Sequence, residues 1–138
     1  MPVKVCVVTS TRADYGILSP LLRALADDPF FELMIVATGT HLLPAYGQTV
    51  DEILRDGFSP LQIPIMHGPV EGVIGVSDVM AEALMQFSRL FATHAFDLLL
   101  VLGDRYEIAS VCCAAVNARL PIAHLHGGET TEGAIDEC

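Results

Sequence analysis

The chain has 138 residues, one domain's worth and long enough for a real core. Apolar residues make up 52% and charged residues 17%, a balance that implies helices covering both faces of a sheet, together with some apolar surface for a partner. The formal net charge is −10 and no run of Lys or Arg occurs, which excludes non-specific nucleic-acid binding but leaves local anion binding open to backbone N–H groups and a few placed arginines.

The predicted elements alternate. Val3 to Val8 is a continuous β-branched run, hence a buried strand. A polar loop, Thr9 to Asp14, leads into a helix over Tyr15 to Leu25, whose apolar stripe is Ile17, Leu18, Leu21, Leu22 and Leu25. Asp14 suits its N-cap or first turn. Phe31 to Ala37 is a second strand, ending in Thr38-Gly39-Thr40-His41. Thr49 to Leu54 is a short helix. Leu61 to Ile65 is a weak strand whose Pro64 suits an edge.

His67 to Gly75 reads as a Gly-rich loop, and Ser77 to Ala92 as a helix capped by Ser77. Leu98 to Leu102 is an apolar strand ending in Gly103-Asp104-Arg105. Ile108 to Ala118 is a helix rich in small residues, and Leu120 to Leu125 a last strand before His126-Gly127-Gly128-Glu129. This β-α-β-α-β-α-β-α-β order, without polar alternation in the strands, predicts a doubly wound parallel α/β sheet of Rossmann-like type. The chain's end at Cys138 reads as a truncation.

Cys6, Cys112, Cys113 and Cys138 form no C-x-x-C pair. Cys6 and the Cys112-Cys113 pair lie in apolar segments and read as reduced core residues. No signal-peptide pattern and no long apolar span occurs, so the expectation is a cytoplasmic protein without a membrane segment.

In open parallel sheets, ligands bind beyond the strand C-terminal ends. There the sequence places Ser10 to Asp14, Thr38 to His41, Gly103 to Glu107 and His126 to Glu129. The first loop lacks G-x-G-x-x-G and Walker A patterns, which removes the main support for a nicotinamide dehydrogenase. Arg12 is either an anion contact beside a helix dipole or a surface arginine paired with Asp14. Asp104 is either a helix cap or a carboxylate able to stabilise developing positive charge. His124 and His126 form an H-x-H pair, but zinc needs a third protein ligand, so no metal is expected and His124 reads as a satisfied sheet-end residue. Gly127-Gly128 permits close backbone approach to a ligand. His41 is a further strand-end histidine, while His67 and His94 read as surface residues.

Four stretches, Thr11-Arg12-Ala13-Asp14-Tyr15, Thr38-Gly39-Thr40-His41-Leu42, Gly103-Asp104-Arg105-Tyr106-Glu107 and His124 through Glu129 with Ile135-Asp136-Glu137, together resemble the hydrolysing UDP-N-acetylglucosamine 2-epimerases of sialic-acid and related nonulosonate biosynthesis. The resemblance covers the whole chain. It implies the N-terminal half of a GT-B-like two-domain fold. Residues 1–138 would form an incomplete N-terminal Rossmann-like domain, with the C-terminal UDP-binding domain absent from this chain and the fragment inactive alone.

The implied reaction converts UDP-N-acetylglucosamine to UDP and N-acetylmannosamine, through elimination of UDP and hydration of a glycal. No cofactor is implied. The resemblance puts Asp104, His126, Glu129, Asp136 and Glu137 in catalytic roles, and Arg12, Asp14, His41, Arg105 and Glu107 in substrate binding. His126 stands where many relatives have Glu, so either His126 or Glu129 takes that acid/base role. Of Asp136 and Glu137, one is catalytic. The implied partners are a UDP-sugar substrate and, at full length, a second copy in a dimer. A UDP-N,N′-diacetylbacillosamine 2-epimerase of legionaminic-acid synthesis carries the same motifs. A non-catalytic α/β binding module accounts for fold and acidity, but leaves Arg12, His41 and Glu129 unexplained.

Overall fold

Five parallel strands form one sheet in the order β3-β2-β1-β4-β5, in a computed structural model that describes residues 1–126. The strands are β1 (Val3–Thr9), β2 (Phe31–Thr38), β3 (Leu61–Ile63), β4 (Leu98–Leu102) and β5 (Ile122–Leu125). The helices between them are α1 (Arg12–Asp27), α2 (Val50–Arg55), α3 (Gly72–Thr93) and α4 (Tyr106–Asn117). Two short 3₁₀ turns, Gly39–Leu42 and Pro44–Tyr46, follow β2. This is the predicted doubly wound α/β architecture, with the Pro64-flanked strand at an edge.

The strands read as unbroken apolar runs because both faces are covered. Successive side chains point to opposite faces. Cys6, Val8, Val36, Leu99 and Val101 enter a core with Phe87 of α3 and Val111 of α4. Val5, Val7, Ile35, Ala37 and Leu100 enter the other core with Leu18 and Leu22 of α1 and Ile53 of α2. β1 is the spine, pairing Val5 with Leu33 on one side and with Leu98 on the other. Burial pushes the Cys6 thiol up to about 12, so it behaves as a small hydrophobe. Among the described residues no helix is long and apolar enough to cross a membrane.

Helix α1 begins with a capping box: Thr11 Oγ1 accepts from the Asp14 N–H at 3.1 Å, and Asp14 Oδ2 accepts from the Thr11 N–H at 3.1 Å. Pro20 lies inside this helix. Proline has no N–H for the carbonyl four residues earlier, and the Ser19 hydroxyl donates to that Gly16 carbonyl at 3.4 Å.

Three predicted details need correction. Helix α3 starts at Gly72, not near Ser77, so part of the expected Gly-rich loop is helical, and its N-cap Glu71 makes no side-chain cap bond. Asp104 does not cap α4, whose N-cap is Arg105. Cys113 is exposed on α4, although its neighbour Cys112 is half-buried.

Phe87 is fully buried between sheet and helix. Phe87→Ala is therefore expected to destabilise the fold by about 3–5 kcal/mol in urea denaturation, and a loss below about 1 kcal/mol would contradict this packing.

Candidate functional site

An open cleft of about 480 Å³ lies over the C-terminal ends of β1, β2 and β4. Its lining comes from three connections: Thr11, Arg12 and Ala13 after β1, Thr40, Tyr46 and Thr49 after β2, and Arg105 after β4. It sits where the strand order reverses about β1, the switch point at which open α/β sheets bind ligands.

The loops meet closely there. Gly39 has φ +61°, and a Cβ on it would stand 2.8 Å from the Ser10 carbonyl oxygen. That contact, with the Thr40 N–H donating to the same oxygen at 3.0 Å, fixes the β2 loop against the β1 loop. Only glycine meets both conditions at low cost.

Two guanidinium groups face the cleft. Arg12 stands at the first position of α1, where the helix dipole repels a cation. Its Nε meets Glu52 Oε1 at 2.9 Å, and its side chain is 72% exposed, so the pair is weakly held. The partner is Glu52, not the Asp14 considered from sequence. Arg105 Nε donates to Glu107 Oε1, and its guanidinium lies 5.6 Å from the Tyr106 ring centroid. Partial burial disfavours the Arg105 charge, but the Glu107 carboxylate outweighs it and holds the group more firmly protonated. Its planar fork suits an anion contact at the cleft. By helix geometry the Arg12 and Ala13 N–H groups also lack intrahelical acceptors.

Beneath the arginines lies a buried polar layer. Asp14 Oδ2 accepts from the Ser10 and Thr11 N–H groups at 3.1 Å each and from the Ser10 hydroxyl at 3.2 Å. Asp14 Oδ1 accepts from the Thr9 hydroxyl. His41 is fully buried, with Nε2 2.8 Å from Thr9 Oγ1 and Nδ1 2.8 Å from Thr49 Oγ1. Burial lowers the His41 pKa from its ordinary 6.5, against the upward pull of Asp14, Glu52 and the Thr11 carbonyl.

The sequence-predicted residues divide accordingly. Arg12 and Arg105 line the cleft. Asp14, His41 and Glu107 do not reach its surface: all three are buried beneath it, contrary to the expectation of ligand-facing groups, because their polar atoms are turned onto neighbouring loop atoms. Glu107 Oε2 has no hydrogen-bond partner among the described residues.

Asp104 is exposed just past β4, outside the cleft lining. His126 is exposed just past β5, with φ +59°. The tips of these two strands are tied together, since the Gly103 N–H donates to the Leu125 carbonyl at 3.0 Å and His124 Nε2 donates to the Gly103 carbonyl. Glu129, Asp136 and Glu137 lie outside the described residues. Among the described residues no group of three or more His, Cys, Asp or Glu could hold a metal ion. The sequence reading held Thr40 within the Thr38 to His41 strand-end segment but missed Tyr46 and Thr49, which carry no signal beyond lying in the connection after β2.

Two outcomes follow from this layer. Gly39→Ala is expected to destabilise the fold by about 1–3 kcal/mol and to weaken any anion bound at the cleft, read by thermal denaturation and calorimetry. For His41 the folded value is the lowered one. As pH falls below 6.5 the unfolded chain takes up the proton first, so stability is whole above that pH and declines below it. His41→Gln should flatten this acid-side decline in urea midpoints, and an unchanged slope would contradict a neutral buried His41.

Residues 23–138 match the family model for UDP-N-acetylglucosamine 2-epimerase. Among curated relatives, a UDP-N,N′-diacetylbacillosamine 2-epimerase (hydrolyzing) from Legionella pneumophila is 39% identical, covering 97% of this chain and 35% of the relative. Polysialic acid biosynthesis protein P7 from Escherichia coli is 37% identical, covering 97% and 34%. The chain thus spans about a third of the length of these relatives. The fold is shared with a crystal structure of UDP-GlcNAc 2-epimerase from Neisseria meningitidis bound to UDP-GlcNAc, at a TM-score of 0.79 and 19% identity, covering 94% of this chain and 33% of that one. With the family model matching most of its length, the chain belongs to the UDP-N-acetylglucosamine 2-epimerase family.

Proposed function

We propose that this chain forms part of a hydrolysing 2-epimerase, which converts UDP-N-acetylglucosamine and water to UDP and N-acetylmannosamine. The observation that carries the reading is the pair of guanidiniums, Arg12 and Arg105, on one cleft at the switch point of a chain in this family. A diphosphate fits that chemistry: the arginines and the first N–H groups of α1 supply donors, and positive charge there accepts the charge of the leaving group.

The chemistry needs a proton to leave C2 while the C1–O bond breaks to UDP, giving a glycal. Water then adds across C1=C2, with hydroxide character at C1 and a proton returned to the opposite face of C2. No carbonyl adjoins C2, so C1–O cleavage leads and the ring gains cationic character. Carboxylates suit both tasks, stabilising that cation and moving the proton. We assign these roles to Asp104 and to members of the set His126, Glu129, Asp136 and Glu137. Asp14, His41 and Glu107 act as positioning residues for the cleft wall. A second, C-terminal domain of a GT-B-like fold would supply the remaining nucleotide contacts. The dimer implied by the resemblance has exposed apolar residues available on the helices, among them Val73, Ile74 and Met85 of α3 and Val116 of α4.

A second substrate is favoured by one observation, the 39% identity with a relative named for UDP-N,N′-diacetylbacillosamine. The decisive experiment offers both UDP-sugars to the full-length protein and follows UDP release by a coupled assay. One of them should turn over. Asp104→Asn should lower kcat by about 10²–10⁴-fold, while Arg105→Ala should both raise KM and lower kcat, since it removes a ground-state anion contact and a donor to the leaving diphosphate. Binding of both sugars without UDP release would instead favour a non-catalytic binding module, and residues 1–138 alone should release none.

A further inference from the structure

Thr40 and Thr49 line the cleft, and the hydroxyl protons of both are committed to the protein interior. Thr40 Oγ1 donates to the Ser10 carbonyl at 3.1 Å. The Thr49 proton is fixed through a chain. Thr9 Oγ1 carries one proton, and the Asp14 carboxylate takes it, because a carboxylate can only accept. Toward His41, Thr9 Oγ1 is therefore the acceptor, so the imidazole hydrogen sits on Nε2. In the neutral ring that burial favours, Nδ1 is then bare and accepts from Thr49 Oγ1 at 2.8 Å.

Thr49 is also the N-cap of α2, yet its side chain makes no cap bond. A threonine there ordinarily accepts from its own helix's first N–H groups. Here the hydroxyl is turned to His41 instead.

A hydroxyl whose proton is committed offers a ligand only its lone pairs. The cleft thus combines guanidinium donors, Arg12 and Arg105, with acceptor hydroxyls, Thr40 and Thr49. We propose that Thr40 and Thr49 are specificity residues, held as hydrogen-bond acceptors that read the hydroxyl groups of a sugar attached to the anion bound by Arg12 and Arg105. The proposal rests on the sugar-nucleotide reading of this cleft. The sugar is the ribose or the hexosamine, and both present donor hydroxyls.

The test uses the full-length protein and three probes in calorimetry: inorganic pyrophosphate, UDP and UDP-N-acetylglucosamine. Thr40→Val and Thr49→Val should each weaken a sugar-bearing probe by about three- to tenfold, the range of one neutral hydrogen bond, and leave pyrophosphate unchanged. Thr49→Ser, which returns the hydroxyl, should regain most of the loss. Weakening of UDP and UDP-N-acetylglucosamine alike supports the proposal with ribose as the sugar read, and weakening of UDP-N-acetylglucosamine alone supports it with the hexosamine. Equal weakening of pyrophosphate, or no weakening of any probe, overturns it. ¹⁵N NMR of the His41 ring gives an independent reading: the Nε2–H form is expected, and an Nδ1–H form overturns the relay. If the unaltered protein binds neither UDP nor UDP-N-acetylglucosamine, the sugar-nucleotide reading itself fails and the proposal falls with it, a result distinct from loss in the variants alone.

Discussion

The cleft depends on one buried carboxylate. Asp14 gathers two backbone N–H groups and two hydroxyls from the turn that joins β1 to α1. A carboxylate below the surface costs far more unpaired than paired, so those donors and Asp14 fix one another. The result sets the first turn of α1, and with it the position of Arg12. It also sets the proton on Thr9, and through Thr9 the tautomer of His41. Geometry and protonation in this layer are one constraint.

The sheet supplies the frame for that layer. Both of its faces are packed, and alternate residues of β1 serve the two cores. The strand ends are therefore held from both sides, while the loops beyond them stay polar. Arg105 reaches the cleft from β4, across the central strand from the Thr40 and Thr49 connection. A cleft assembled from three separate connections keeps its geometry because the strands that carry them are held rigidly.

Much of this architecture is legible in the sequence. The strands are visible because burial on both faces demands unbroken apolar runs, and α1 because Leu18, Leu22 and Leu25 recur at helical spacing. The start of α3 is not legible. Gly72 and Gly75 carry poor helix propensity, Glu71 gives no capping bond, and Ser77 imitates a cap inside the helix. Arg12 and Arg105 stand out as charge at strand tips. His41 does not reveal its burial, since a histidine after glycine in a polar loop reads as exposed. Only its distant partners, Thr9 and Thr49, explain why it is inside. The direction of a threonine proton is likewise invisible to sequence, because it is set by what the neighbouring groups have already accepted.

The central place of β1 has a consequence for the making of the protein. Its first edge is covered once β2 forms, but the second waits for β4, with Val5 facing Leu98. At ordinary elongation rates that interval is roughly 3–13 seconds. Throughout it, a strand of the sequence VKVCVVT keeps an open, apolar edge able to pair with other chains. The strand that organises the finished sheet is thus also a segment that needs shielding on the ribosome.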